Sequence, residues 1–127
     1  MNIEQELREL LLPVFGLDSI DEIKLEHSLI KDLGAESLDF VEIFHLIDRK
    51  FDVEITAKSL MVGGTNLDID TLFKNGKLTE NGMFVLQENF SAKKDMIFKE
   101  MTKVDLVSII TVDDLAVIVK SKIEKKS

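Results

Sequence analysis

The chain has 127 residues, a formal charge of −8, and 45% hydrophobic against 31% charged residues. That composition suits one soluble globular domain and excludes wholesale disorder. The excess of acid argues against nucleic-acid binding, which needs surplus Lys and Arg; it suits basic partner proteins, or solubility alone.

With no Cys in the chain, disulfides, thiolate nucleophiles and cysteine metal sites are excluded. His27 and His45 lie too far apart in sequence to build a metal centre by themselves. No apolar run approaches the roughly 20 residues of a membrane span. The acidic opening Met1-Asn2-Ile3-Glu4-Gln5-Glu6 is unlike a secretory signal. A cytoplasmic monomer is expected.

Ile3, Leu7, Leu10, Leu11 and Val14 recur at helical spacing, and Pro13 should end or bend this first helix before Gly16. From Leu17 to Glu36 the apolar residues are scattered, which predicts a long loop pinned over a core. Ser37 is the candidate N-cap of a second helix. There Phe40, Ile43, Phe44, Ile47 and Phe51 fall within one stripe at about 100° per residue and should face the core. Leu38, Val41, Glu42, His45, Asp48 and Arg49 fall on the opposite face, so Leu38 and Val41 are apolar residues on a surface predicted to be wet.

Thr56 should cap a short helix through Val62, stopped by Gly63-Gly64. Leu67 to Lys74 reads as another, closed by Asn75-Gly76. Thr79 should cap a helix bearing Met83, Leu86 and Phe90, and Ser91 one bearing Ile97, Met101 and Val104. Thr111-Val112-Asp113-Asp114 reads as an N-cap with acid in the first turn. The last helix then turns Leu115, Ile118, Val119 and Ile123 inward and ends in a basic tail, Lys120 to Lys126. Only Val53-Glu54-Ile55-Thr56 alternates in the manner of a strand. The fold class expected is all-α.

The stretch Asp32-Leu33-Gly34-Ala35-Glu36-Ser37-Leu38-Asp39 carries the chemistry. A serine where a loop enters a helix is exposed and lies near unpaired backbone N–H groups. A phosphodiester there would gain from the helix dipole. Glu36 and Asp39 would repel that phosphate and make better sense as contacts for a basic enzyme. The plain alternative is that Ser37 only caps the helix. A serine-hydrolase elbow is excluded, since Ala35 and Asp39 stand where Gly is needed and no His is placed as a base.

The run from His27 to Ile43, centred on that motif, resembles the prosthetic-group region of bacterial acyl carrier proteins. Phe51 with Val53-Glu54-Ile55, and Ile109-Ile110-Thr111-Val112-Asp113-Asp114-Leu115, resemble the family's second-helix end and last-helix start. The resemblance covers roughly residues 1–58 and 106–125. It implies a four-helix bundle with Ser37 carrying 4′-phosphopantetheine and with an acyl chain as cargo. It implies a phosphopantetheinyl transferase and acyl-transferring or condensing enzymes as partners. Glu36, Leu38, Asp39, Val41, Glu42, His45 and Asp48 fall on the family's partner-facing positions.

The departures are specific. Glu36 stands where Asp is usual, His45 where Met is common, and Arg49-Lys50 replace acidic residues at the helix end. A segment at about 60–105 has no counterpart in a minimal carrier, so the chain reads as one carrier domain, 1–127, with inserted short helices. This favours a carrier dedicated to a lipid, lipopolysaccharide or secondary-metabolite pathway over housekeeping fatty-acid synthesis. A peptidyl or polyketide-type carrier and a carrier-fold interaction module without the arm are the alternatives. In the insertion, Asp68 and Asp70 do not make a calcium loop, because Phe73 occupies the turn position that needs Gly. Met83, Phe84, Phe90, Met96, Phe98 and Met101 either bury the insertion against the bundle or line a pocket for a bulky acyl chain.

Overall fold

The computed structural model describes residues 2–126; Met1, the start of the acidic opening run, and Ser127 lie outside the described residues. Helix α1 spans Ile3–Phe15, capped by the Asn2 side chain, which accepts the Gln5 N–H at 3.0 Å. Leu7 and Leu11 are fully buried. The helix runs on past Pro13, because a proline in the last turn forfeits only one backbone bond and its ring here faces solvent.

The loop that follows is pinned as its apolar residues predict. Ile23 and Leu29 are fully buried. Arg8 of α1 donates to the Ile23 and Ile20 carbonyls at 2.6 and 2.9 Å, holding a 3₁₀ turn at Ile20–Glu22 against the helix. Helix α2 spans Ser37–Phe51 and buries Ile43, Ile47 and Phe51. Phe40 and Phe44 of the same stripe are only half-buried, with ring centroids 6.1 Å apart. Val53 and Ile55 then alternate into the core without forming a strand. Helix α3, Ala57–Met61, begins at Thr56, whose hydroxyl accepts the Ser59 N–H at 3.1 Å.

The middle of the chain departs from the helical expectation twice. Leu67 to Lys74 is not a helix. Ile69–Leu72 forms a 3₁₀ turn and leads into a small antiparallel hairpin, β1 (Phe73–Lys74) and β2 (Lys77–Leu78). Asn75 (φ 54°) and Gly76 (φ 78°) both adopt positive φ, and Asn-Gly is the pair that a two-residue hairpin loop favours. The second departure follows α4, Glu80–Asn89, which starts at Thr79 as predicted. Ser91–Met96 is only a 3₁₀ turn, Ile97 is already extended, and the chain reverses through Glu100 at φ 73°. Helix α5, Lys103–Ser108, therefore starts afresh from Thr102, which exchanges reciprocal capping bonds of 3.1 and 3.0 Å with Asp105. Helix α6, Val112–Lys126, opens with the same device between Thr111 and Asp114, at 3.1 and 2.9 Å.

Helix α1 packs on α2 and α6, and α3 packs on both α5 and α6. The result is a predominantly helical bundle with two hydrophobic cores. The larger draws on α1, the pinned loop, α2 and α6. The smaller lies within the insertion and uses Leu72, Leu78, Leu86, Ile97, Met101 and Leu106. Each fully buried Leu or Ile contributes about 1.5–3 kcal/mol. Adjacent residues part company where the two cores meet: Leu60 belongs to the first and Met61 to the second, and Ile109 to the second and Ile110 to the first. Immediately after α3, Gly63 (φ 61°) lets the Phe90 ring lie against its backbone; a Cβ there would collide with Phe90 Cε1. The Met and Phe residues of the insertion divide. Met101 is buried and Met83 and Phe90 are partly so, whereas Phe84, Met96 and Phe98 are exposed.

Candidate functional site

Ser37 stands on a rigid support. Ser28, buried in the preceding loop, donates its hydroxyl to the Ser108 carbonyl at 2.8 Å and accepts the Lys31 N–H at 3.0 Å. The Asp32 carboxylate accepts the Ser28 N–H at 2.7 Å. Backbone bonds from Leu29 to Ile110 and from Val112 to His27 stitch the same loop to the start of α6. Ala35, buried and bonded back to Leu29, delivers the chain to α2.

The cap of α2 lies one residue earlier than its sequence suggests. Glu36 is the N-cap, in extended conformation, and Ser37 is the first helical residue. The cause is Asp39, whose carboxylate accepts the Glu36 N–H at 2.8 Å and closes the helix start from inside. With that duty taken, no hydrogen bond ties the Ser37 hydroxyl to any described residue, and the side chain is exposed. A hydroxyl that does not cap can be modified without dissolving the cap.

The opposite face of α2 is solvent-facing as the helical spacing predicts. Leu38 is 82% and Val41 65% exposed, and Glu36, Glu42, His45 and Asp48 are exposed beside them. Asp39 is half-buried.

Next to Ser37 an apolar groove of about 530 Å³ opens between α2 and α3, lined by Ile30, Ala35, Phe40, Phe44, Leu60 and Met61. Its far wall comes from α5, where the insertion rejoins the bundle, through Lys103, Val104 and Val107. These three were not legible as site residues. The signal that could have found them is the Thr102…Asp105 capping box, which marks the start of α5. An ion cluster braces this wall. Asp70 accepts from Lys58 of α3 and Lys103 of α5, each at 2.7 Å, and Lys103 also lies 5.6 Å from the centre of the Phe73 ring. The hydrogen bond from Lys103, then that from Lys58, lowers the Asp70 carboxyl to about 2. The Asp70 bond in turn raises the Lys58 ammonium above its ordinary value. Asp70 is thus spoken for by lysines, and among the described residues no group of three or more His, Asp and Glu could hold a metal ion.

The site fits an anionic, flexible group on Ser37. An exposed, unbonded hydroxyl sits in the first turn of a 15-residue helix, where an attached phosphate would meet unpaired N–H groups and the positive end of the dipole. Ser37 itself is among the residues lining the apolar groove. The family model described as "Phosphopantetheine attachment site" matches residues 5–75, more than half of the chain.

The chain belongs to the phosphopantetheine attachment site family. It is a carrier for 4′-phosphopantetheine, and carrier domains of this family are served by modifying enzymes such as transferases and generally carry rather than catalyse. The match takes in α1, the pinned loop, α2 and α3, and ends within the hairpin of the insertion. No solved structure matches the chain significantly. Among the described residues no helix is long and apolar enough to cross a membrane.

Proposed function

We propose that Ser37 is the attachment residue and that the protein delivers thioester-bound acyl groups to the enzymes of a dedicated lipid, lipopolysaccharide or secondary-metabolite pathway. The observation that carries this reading is the Ser37 hydroxyl, exposed and released from capping by Asp39, at the mouth of an apolar groove. Residues 1–127 then act as one carrier domain elaborated at about 60–105.

On a transferase, the Ser37 Oγ forms a new P–O bond to the phosphopantetheine phosphate of coenzyme A. The P–O bond to adenosine bisphosphate breaks, and the serine proton leaves through the transferase, which also supplies magnesium. Once attached, the group supplies a terminal thiol that holds an acyl chain as a thioester. The chain's own residues do the rest. The dipole of α2 stabilises the phosphodiester, and Phe40, Phe44 and the α5 wall offer the acyl chain a place out of water. Leu38, Val41 and His45, with Glu36, Asp39, Glu42 and Asp48, face a basic partner enzyme, while Arg49 and Lys50 narrow the choice of partner.

Coexpression with a phosphopantetheinyl transferase followed by intact-mass analysis tests the assignment. The wild type should gain the mass of one phosphopantetheine and Ser37→Ala should not. A Ser37→Ala variant that is still modified would overturn it, and an unmodified wild type would favour an interaction module keeping the fold without the arm.

A further inference from the structure

Behind the groove lies a second, smaller apolar space. This chamber, of about 140 Å³, sits where the two cores meet. Ile109 and Ile110, at the entry to the last helix, and Ile118 within it bound it on one side, and Phe90 and Ile97 bound it from the insertion. Leu60 and Met61 line both the chamber and the groove beside Ser37, so the two spaces adjoin across α3.

Its chemistry selects a guest. The space is partly open, with Val117 half-exposed at its rim, but its lining is mostly apolar, so an apolar guest gains by displacing water from it. The charged groups at its edge are Lys93 and Asp114, which pair at 2.9 Å. Asp114 also accepts the Thr111 N–H. Neither offers a free charge to a polar guest, because displacing a partly buried pair to receive one costs more than it returns.

We propose that this chamber, which the insertion walls on one side, holds the distal, unsubstituted hydrocarbon end of an acyl chain whose thioester end lies on the Ser37 side of α3. The proposal rests on Ser37 as the attachment point. The groove shelters the first part of the chain, and the insertion adds room for the rest. A chain long enough to pass Leu60 and Met61 gains a second increment of burial, which a short chain cannot reach.

The test uses the full chain labelled at its Ile δ1 methyl groups and loaded by a transferase from butyryl or palmitoyl coenzyme A analogues in which a hydrolysis-resistant amide replaces the thioester. Intact mass reports loading independently of where the chain goes. Both loaded forms should shift the Ile30 methyl beside the groove, but only the palmitoyl form should shift those of Ile97, Ile109 and Ile118. An ω-carboxylated chain of the same length should leave these three unmoved. Chamber methyls that do not distinguish palmitoyl from butyryl, or that respond equally to the carboxylated chain, would overturn the proposal. As a second arm, Val117→Trp fills the chamber from a rim position that is 53% exposed. It should speed hydrolysis of a palmitoyl thioester several-fold and leave a butyryl thioester unchanged; equal effects on both would also overturn it. A wild type that gains no mass at all would instead overturn the attachment reading on which the proposal rests.

Discussion

The Asp39 carboxylate accepts the Glu36 backbone N–H at 2.8 Å, so the α2 cap is built by residues on either side of Ser37 and not by Ser37 itself. Stability and loading should therefore separate. Ser37→Ala should abolish phosphopantetheine loading while changing stability by less than about 0.5 kcal/mol, as surface substitutions do. Asp39→Ala should cost about 0.5–2 kcal/mol, the range for a lost helix cap. Urea denaturation of the two variants checks both.

The exposed acidic residues of α2 should act mainly on encounter. Loading by a basic transferase should slow as salt is added, and the double variant Glu42→Lys, Asp48→Lys should load about tenfold more slowly at low salt. Initial loading rates across a salt series measure this, with the wild-type and variant rates converging at high salt.

The two cores should fail separately. Ile47→Ala, in the bundle core, and Leu86→Ala, in the insertion core, each remove a fully buried side chain and should cost about 2–5 kcal/mol. Leu86→Ala should release amide protection in α4 and α5 first and leave α1 and α2 protected. Hydrogen exchange by segment reads the difference.

The brace behind the groove should be insensitive to mild acid. Asp70 is held at about 2 against an ordinary 3.8, and a carboxyl depressed on folding stabilises above its unfolded value and loses that contribution as pH falls through the folded one. The Lys58–Asp70–Lys103 cluster should thus persist near pH 3.8 and come apart only as pH approaches about 2. Asp52, lowered by its hydrogen bond from Lys126, should follow the same direction. A carboxyl-carbon NMR titration shows the two midpoints, and Asp70→Asn should remove the Asp70 transition and leave that of Asp52.

What could be read from the chain was local. The α2 stripe, the Thr56, Thr79 and Thr111 caps, and the exposed face bearing Leu38 and Val41 follow from spacing within one or two turns, and all are present. The cap of α2 falls one residue before the Ser37 that the sequence suggests, because Ser37 and Glu36 compete for it and only the Asp39 bond decides. Asn75-Gly76 can stop a helix or turn a hairpin; the flanking Phe73 and Leu78 choose the hairpin by pairing across it. The groove is not legible in the sequence, since it brings Val104 and Val41 to line the same space. No periodicity reports a meeting of residues so far apart in the chain. Ser37 itself stood out only through its resemblance to a family motif, because an exposed serine at a helix start is otherwise an ordinary cap.

Phe90 rests on Gly63, where even a methyl group would collide with the ring. The roof of the inner chamber is therefore seated on main chain, and it cannot settle deeper or be replaced by rotating a neighbouring side chain. The same residue that ends α3 thereby acts as a mechanical stop. On the proposed binding mode, room for the cargo is set at a main-chain position of the chamber wall, and a single change there that lifts one aromatic ring would retune it.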